Sequence, residues 1–373
     1  MRASGLNQQV IAILKTADVK INGPDPWDLQ VHDNRFYKRL LSEGTLGLGE
    51  SYMDGWWDCQ QIDQFVFNVI RADLYKQARL GWKSVFHLLL AKLFNLQRKG
   101  KAARNAQRHY DIGNKLYQLM LDKRLVYSCG YWKDADNLDQ AQENKLDLIC
   151  RKLYLQPGQR VLDIGCGWGS FAKFAAENYG VEVVGVTVSK EQAALAREIC
   201  KSLPVEIRLQ DYRDVREQFD HIVSVGMFEH VGYRNHRTFM QVAHRCLKEE
   251  GLFMLHTIGV NFSKVTADPF TDTYIFPNCL IPSVKQLGTA MEHLFIVEDW
   301  HNFGPYYDHT LMAWFQNFNH NWEQLQGEYG ERFYRMWKYY LLSSAGSFRA
   351  RNNQLWQLVL TKQGIVGGYK AVR

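Results

Sequence analysis

The stretch Val161-Leu-Asp-Ile-Gly-Cys-Gly-Trp-Gly169 decides the fold, because it joins a short apolar strand to a helix predicted over 170–178. Its three glycines let the backbone approach a ligand closely, and the start of a helix favours polar or anionic groups. A nicotinamide-binding fingerprint would need its last glycine at position 170, which is a serine. With a strand before it and a helix after it, this turn is predicted to bind a ligand.

Strands and helices alternate after this turn. Helices are predicted from Lys190 and around 236–247, and the apolar strands are predicted at 160–164, 181–188, 205–209, 221–225, 252–255, 295–298 and 358–361. This alternation predicts an α/β fold with a doubly wound sheet, whose right-handed crossovers bring the loops after the strands to one ligand-binding edge. Two aromatic-rich segments, 259–292 and 303–350, do not fit into a minimal sheet of this kind. They are candidates to cover that edge.

The remaining sequence indicates a second, smaller domain. The chain has 373 residues, of which 46% are apolar, and only 8 prolines. These values exclude collagen and low-complexity disorder, and the length suits two domains. We predict a mainly helical domain over 1–95 that associates with lipid, a basic linker over 96–109 and a larger catalytic domain over 110–373.

Positive charge is concentrated in the segment 74–110. This segment has nine Lys or Arg and no acid, whereas the rest of the chain has 36 basic and 39 acidic residues. Apolar residues between Leu80 and Phe94 follow a helical spacing, which predicts a basic amphipathic helix. Such a helix can lie flat on an anionic bilayer. The alternative is a solvated basic face with the apolar side packed in the core.

Cysteine usage and hydropathy bear on the compartment. The seven cysteines include no C-x-x-C pair, so no zinc spacing or disulfide framework is expected. This usage fits a reducing compartment. The longest apolar patch, 85–96, is too short to span a bilayer, and the amino terminus is a poor signal peptide. We expect a cytoplasmic protein that is peripherally associated with the inner face of the cell membrane.

The glycine spacing, with Asp163 two residues before Gly165, resembles the first motif of S-adenosylmethionine-dependent methyltransferases. Many of these enzymes end their second strand with an acid, whereas this chain has Thr187-Val-Ser-Lys-Glu-Gln192. After the third strand, Asp211 suits the adenine amino group and Tyr212 could stack on the ring; a capping role for Asp211 is almost equally favoured. No proline is followed by Pro or Cys, which weakens a nucleic-acid substrate.

Further segments make the resemblance specific. They are His109–Asn114, Tyr127–Trp132, Gln210–Arg213, Gly226–Val231, Leu255–Gly259 and Glu298–Gly304. With the glycine turn, they resemble the cyclopropane-fatty-acyl-phospholipid synthases, which are relatives of the mycolic-acid cyclopropane synthases. The catalytic resemblance runs from about 105 to 365. The segment Leu46–Trp57 also resembles the amino-terminal domain of the bacterial phospholipid enzymes.

The resemblance implies methyl transfer from S-adenosylmethionine to a cis double bond in a phospholipid acyl chain. An alkene is a weak nucleophile, so it must be aligned in a dry site. The addition leaves a carbocation, which aromatic faces could stabilise. Loss of a proton then closes the cyclopropane ring and requires a base. The expected partners are an anionic phospholipid bilayer and a second copy of this chain in a homodimer, and no nucleic acid.

In the family, the base is a bound bicarbonate ion. The matching positions here are Cys129, Glu229, His256, Ile258 and Tyr307, with Cys129 and Ile258 acting through their backbone. Bicarbonate has donor and acceptor oxygens and can use both kinds of partner. The cofactor-binding positions, from the motif and the family together, are Tyr127, Ser128, Asp163, Gly165, Gly167, Gly169, Thr187, Gln192, Asp211, Tyr212 and Arg213.

Two alternatives keep the fold and change the function. Some plant alkaloid N-methyltransferases resemble this family, and their amine acceptors need no ring-closing base. The basic segment and the lipid-type amino-terminal domain argue against such an acceptor. A non-catalytic membrane-surface protein is the other alternative, which the intact glycine motif disfavours.

Overall fold

The protein is described by a computed structural model that covers residues 2–74 and 113–373. The described chain divides into two compact units. The smaller unit contains 2–74, 266–277 and 307–353, and the larger unit contains 113–265, 278–306 and 354–373. The basic segment beyond residue 74 and the predicted linker 96–109 lie outside the described residues.

The elements are numbered along the described chain. Its strands are β1 (Gln30–Val31), β2 (Trp57–Asp58), β3 (Arg160–Ile164), β4 (Glu182–Thr187), β5 (Val205–Leu209), β6 (Phe219–Val225), β7 (Leu247–Val260), β8 (Ile296–Asn302) and β9 (Asn353–Thr361). Its α-helices are α1 (Arg2–Lys15), α2 (Arg35–Glu43), α3 (Thr45–Met53), α4 (Ile62–Arg71), α5 (Asn114–Met120), α6 (Leu138–Lys152), α7 (Ser170–Tyr179), α8 (Lys190–Ile199), α9 (His236–Cys246), α10 (Pro269–Tyr274), α11 (Val284–Met291), α12 (Pro305–His320) and α13 (Gln326–Arg349). No helix among these is long and apolar enough to cross a bilayer.

The smaller unit is mainly helical and is built around Trp57, which is fully buried. The Trp57 ring lies 4.9 Å from Tyr52 and 5.9 Å from Phe65, measured between ring centroids. Its indole N–H donates to the carbonyl of Leu48 at 3.1 Å. In α3, a side chain at Gly49 would meet the ring of Phe270 from α10 at 2.2 Å. Close packing therefore explains this glycine, which carries no chemical motif.

The aromatic residues of α10 and α13 pack with the amino-terminal helices. The ring of Phe270 lies 4.8 Å from Tyr339, whose ring lies 6.3 Å from Trp57. Much of the two aromatic-rich segments predicted to exceed the sheet therefore belongs to the smaller unit. The observed units are discontinuous along the chain, whereas the predicted domains were continuous. The lipid-associated role of this unit stays a prediction.

The larger unit contains a seven-stranded sheet in the order β5-β4-β3-β6-β7-β9-β8. The pairs β5–β4, β4–β3, β3–β6 and β6–β7 are parallel, and β8–β9 is antiparallel. Every strand predicted from the sequence is present. Strand β7 is longer than predicted, because the exposed polar residues 248–250 near its start hide its apolar pattern.

Helices cover both faces of this sheet. Leu162 of β3 packs on one face with Phe239 of α9, and the same cluster contains residues of α11. The neighbouring Val161 packs on the other face with Ile149 of α6 and Ala175 of α7. Successive residues of a strand point to opposite faces, so both faces are buried, as in parallel sheets generally. The prediction of a doubly wound α/β fold is confirmed.

Candidate active site

A pocket lies where β3, β4, β5 and β6 end, at the edge predicted to bind ligands. Parallel strands place their carboxyl ends at one edge, which is why residues far apart in sequence meet there. Every predicted cofactor-binding residue except Gly169 lines this pocket: Tyr127, Ser128, Asp163, Gly165, Gly167, Thr187, Gln192, Asp211, Tyr212 and Arg213.

The glycines of the turn have different structural reasons. Gly165 has a φ of +84°, and a side chain there would lie 2.6 Å from Cγ of Met227, which also lines the pocket. Gly169 has a φ of +83°, and its side chain would lie 3.2 Å from Cβ of Ala196 in α8. Only glycine adopts such φ values without strain. Gly165 therefore shapes the pocket, and Gly169 lets α7 begin close to α8.

Neutral polar groups stand at the end of β4. The Thr187 hydroxyl donates to Oε1 of Gln192 at 3.1 Å and accepts from the Ser189 N–H at 3.2 Å. The Ser189 hydroxyl accepts the N–H of Gln192 and so caps α8. These bonds fix a hydroxyl and an amide where many methyltransferases have an acid.

The turn after β5 holds an ion pair. Asp211 accepts from Nε of Arg213 at 2.8 Å and from its Nη2 at 2.6 Å. Asp211 also accepts the backbone N–H of Arg213, which is the capping role that the sequence left open. Tyr212 is buried, with its ring 5.3 Å from Phe239. Burial raises the pKa of the Tyr212 phenol, so this side chain is neutral.

The sequence did not identify Lys145 of α6, which also lines the pocket. Its ammonium donates to the Ser128 hydroxyl at 2.9 Å. Burial lowers the pKa of Lys145 to about 8 and raises that of Asp163, in the same wall, to about 7. A usable signal existed, because Gln142, Lys145 and Lys152 occur at helical spacing on a face that proves to be buried.

Glu229 lies in the short 3₁₀ turn Phe228–His230 that follows β6, and is 4% exposed. Its Oε1 accepts the backbone N–H of Ile258 at 2.7 Å. Its Oε2 is buried and has no hydrogen-bond partner among the described residues. Burial raises the pKa of this carboxyl to about 7, and the Ile258 N–H opposes that shift.

His256 lies on β7, opposite Val225 of β6, and is 1% exposed. Its Nδ1 is 3.2 Å from the amide nitrogen of Gln357, which in this orientation donates to it. The proton of the neutral ring is then on Nε2, which is buried without a partner in the described part of the chain. Burial lowers the pKa of His256 well below its ordinary value, and the cations of Lys145 and Lys152 add to this effect.

The remaining predicted base-site residues are placed differently. The Ile258 N–H donates to Glu229 and so orients its carboxylate. Cys129 is fully buried, and its Sγ lies 3.2 Å from the Gly130 carbonyl. Tyr307 belongs to the smaller unit, where its ring lies 4.4 Å from Phe348. The structure thus joins Glu229 to Ile258 directly and places His256 on the same strand as Ile258.

Comparison with known proteins identifies close relatives. A family model described as mycolic acid cyclopropane synthetase matches residues 97–358. The cyclopropane-fatty-acyl-phospholipid synthase of Escherichia coli K12 is 52% identical over 361 residues, which cover 97% of this chain and 94% of that protein. Cyclopropane mycolic acid synthase 2 of Mycobacterium leprae is 33% identical over 287 residues, which cover 69% of this chain and 92% of that protein.

Solved structures agree with this assignment. The cyclopropane synthase MmaA2 of Mycobacterium tuberculosis has a TM-score of 0.67 at 31% identity, over 70% of this chain and 98% of its own. Mycolic acid cyclopropane synthase CmaA1, complexed with SAH and CTAB, has a TM-score of 0.66 at 33% identity, again over 70% of this chain and 98% of that chain. Coclaurine N-methyltransferase shares the fold, with a TM-score of 0.70 at 22% identity. The match covers 84% of this chain and 99% of that chain. This chain therefore belongs to the mycolic acid cyclopropane synthetase family of S-adenosylmethionine-dependent methyltransferases.

Proposed function

We propose that this protein converts a cis double bond in a phospholipid acyl chain into a cyclopropane ring, with S-adenosylmethionine as methyl donor. Similarity to the Escherichia coli synthase over nearly the whole chain supports this substrate class. The structural observation that carries the proposal is the buried Glu229 carboxyl. One of its oxygens accepts from Ile258, two residues after His256 on β7, and the other has no hydrogen-bond partner among the described residues. An N-methyltransferase needs no base for ring closure, because an amine attacks the methyl group directly.

The pocket at the ends of β3–β6 is proposed to bind the methyl donor. When bound, S-adenosylmethionine supplies a methyl group that is activated by its sulfonium sulfur. The end of β5 would hold the adenine through Tyr212 and its neighbours, and the hydroxyl and amide of Thr187 and Gln192 would hold the ribose. Burial of these groups excludes water from the reacting atoms and favours a near-attack alignment.

The base site is proposed to take bicarbonate, which would supply an acceptor for the proton lost on ring closure. Two buried atoms that have no hydrogen-bond partner within 2–74 and 113–373 fit this ion: Oε2 of Glu229 as an acceptor and the Nε2–H of His256 as a donor. A hydroxyl of the ion directed at Glu229 avoids the cost of placing two buried anions together. Cys129, Ile258 and Tyr307 complete the proposed set, in which Ile258 positions Glu229.

The lipid substrate places the reaction at a membrane. We propose that the protein is cytoplasmic, binds the inner face of the cell membrane peripherally through the basic segment 74–110, and acts as a homodimer. The mild excess of positive charge, confined to that segment, supports an anionic phospholipid bilayer as the partner. No nucleic acid is expected to bind.

The test is to incubate the purified protein with unsaturated phospholipid vesicles, S-adenosylmethionine and bicarbonate. The expected product is an acyl chain heavier by one CH₂ that no longer hydrogenates as an olefin, detected by mass spectrometry. Bicarbonate-free buffer should reduce turnover. A heavier chain that still hydrogenates would show that the ring does not close. Methylation of amines without reaction of lipid would favour an N-methyltransferase.

A further inference from the structure

Lys145 is a buried lysine in the wall of the pocket, only 1% exposed. Among the described residues, the Ser128 hydroxyl is the one hydrogen-bond partner of its ammonium, at 2.9 Å. An ammonium carries three N–H donors, so two of them remain available for a ligand. A buried cation with a single neutral partner is unfavourable unless a further group compensates its charge.

No carboxylate in the described chain forms an ion pair with Lys145. Asp122 and Asp163 attract its charge from a greater distance, and its pKa of about 8 keeps it a cation at neutral pH. Arg213, which also lines the pocket, is already paired with Asp211 through two bonds. Lys145 is therefore the cation of the pocket wall whose charge has no close anionic partner.

Lys152, on the same helix, is a buried lysine whose anionic partner comes from the protein itself. It lies two turns after Lys145, is also fully buried, and its pKa is likewise lowered to about 8. Its ammonium, however, pairs with Asp299 at 3.3 Å, and it does not line the pocket. The two buried lysines of α6 therefore differ in whether the protein itself supplies their anion.

The position of Lys145 indicates which part of the methyl donor it would meet. The residues proposed for adenine and ribose follow β5 and β4, at one side of the pocket. Ser128, which binds Lys145, adjoins Gly226 after β6, where a side chain on Gly226 would lie 3.8 Å from Cβ of Ser128. Since β6 lies two strands beyond β4, the amino-acid end of the donor falls toward Lys145. That end carries a carboxylate.

We infer that Lys145 recognises the carboxylate of S-adenosylmethionine and makes the pocket specific for nucleosides that carry an amino-acid end. The inference rests on the proposed binding of S-adenosylmethionine in this pocket. It adds a specificity-determining residue to the proposed reaction: the ammonium binds the carboxylate through the donors that Ser128 leaves available. Asp163, which also lines the pocket, is then available to bind the ammonium group at the amino-acid end of S-adenosylmethionine.

Calorimetry on the full chain tests the inference with two probes. One is S-adenosylhomocysteine, and the other is the same thioether without its carboxylate. Charge-assisted hydrogen bonds predict that the wild type prefers the carboxylate form about 10-fold or more. In Lys145→Met and in Lys145→Gln, this preference should fall to about threefold or less. Gln can still donate to Ser128, so it separates loss of charge from loss of that bond.

Lys152→Met is the matched control, because it removes a buried cation from the same helix without touching the pocket. It should lower the melting temperature and leave the preference unchanged. The inference is overturned if the wild type binds both probes equally, or if the Lys145 variants weaken both probes by the same factor. Failure of the proposed function differs, because the wild type would then bind neither probe or form no cyclopropane product.

Discussion

Glu229 holds a buried carboxyl group, and the part of the chain that the structure describes bonds only one of its oxygens. An unsatisfied buried acceptor destabilises the fold, so its presence points to a ligand that completes its hydrogen bonds. The Ile258 N–H fixes the orientation of this carboxyl from β7. In the proposed function, Glu229 would hold the hydroxyl of the bound anion and would not itself take the proton from the substrate.

Glu229→Gln should reduce turnover about 100-fold, because an amide no longer accepts strongly at that position. Affinity for S-adenosylhomocysteine should stay within about twofold, since Glu229 does not line the cofactor pocket. Product formation on vesicles and calorimetry give the two values. Glu249→Gln, at an exposed carboxyl that pairs with Lys362, serves as the control and should leave both values unchanged. Unchanged turnover in Glu229→Gln would remove Glu229 from the reaction.

The same substitution should change stability with a defined pH dependence. The Glu229 carboxyl ionises near its ordinary pKa of 4.5 when unfolded and at about 7 when folded. The unfolded state therefore loses its proton first, and the wild type loses up to about 3 kcal/mol as the pH rises from 4.5 to 7. Glu229→Gln lacks this loss. Its melting temperature relative to the wild type should rise across that interval and then level off; a constant difference would contradict the raised pKa.

At the scale of elements, the turn between β3 and α7 has a steric requirement that can be tested. Gly165→Ala places a methyl group within 2.6 Å of Cγ of Met227, at a φ of +84°. Gly158→Ala is the matched control, with a φ of +81° and nothing within 4 Å. Both should lose about 1 kcal/mol of stability from backbone strain. Only Gly165→Ala should weaken S-adenosylhomocysteine binding, by about 10-fold or more, in calorimetry. Equal weakening in both would mean that strain, and not the shape of the pocket, is responsible.

Most elements of the sheet unit follow from local sequence patterns. The strand at 160–164 has a buried apolar core, Val161, Leu162 and Ile164, and is followed by glycines, so its limits are predicted within a residue. Strand β7 begins at Leu247 and continues through the exposed polar run 248–250, where pairing of Leu247 with Phe219 of β6 outweighs the local pattern. The membership of 266–277 and 307–353 in the smaller unit depends on contacts such as Phe270 with Tyr339, which no local pattern encodes.

The site was predictable where a motif carries it. Gly165, Gly167, Ser128 and Tyr212 line the pocket, and their contact with the methyl donor stays a prediction. Two features needed coordinates. The backbone N–H of Ile258, expected at the bicarbonate site, is used by Glu229. Helical spacing groups Lys145 with the other polar residues of the buried face of α6, but its place beside Ser128 in the pocket wall depends on the fold of the chain.

For the whole molecule, the coverage of the relatives separates two kinds of enzyme. The mycobacterial structures match about 70% of this chain while covering nearly all of their own. The Escherichia coli phospholipid synthase matches 97% of it. The amino-terminal region is thus shared with the enzyme whose substrate is a phospholipid. This distribution agrees with the proposed role of this region and the adjoining basic segment at a bilayer, which stays a prediction.

Neutralising Arg98, Lys99 and Lys101, which lie outside the described residues, should weaken binding to anionic vesicles. Each basic residue near such a surface contributes about 1 kcal/mol, and added salt screens that attraction. Sedimentation with vesicles at two salt concentrations should show a loss that is largest at low salt. The control replaces three exposed lysines of the larger unit, Lys190, Lys201 and Lys285, which removes the same charge. Equal losses of vesicle binding in both triple variants would mean that only the net charge of the protein matters. If the variant of Arg98, Lys99 and Lys101 loses no binding, the basic segment is a solvated linker.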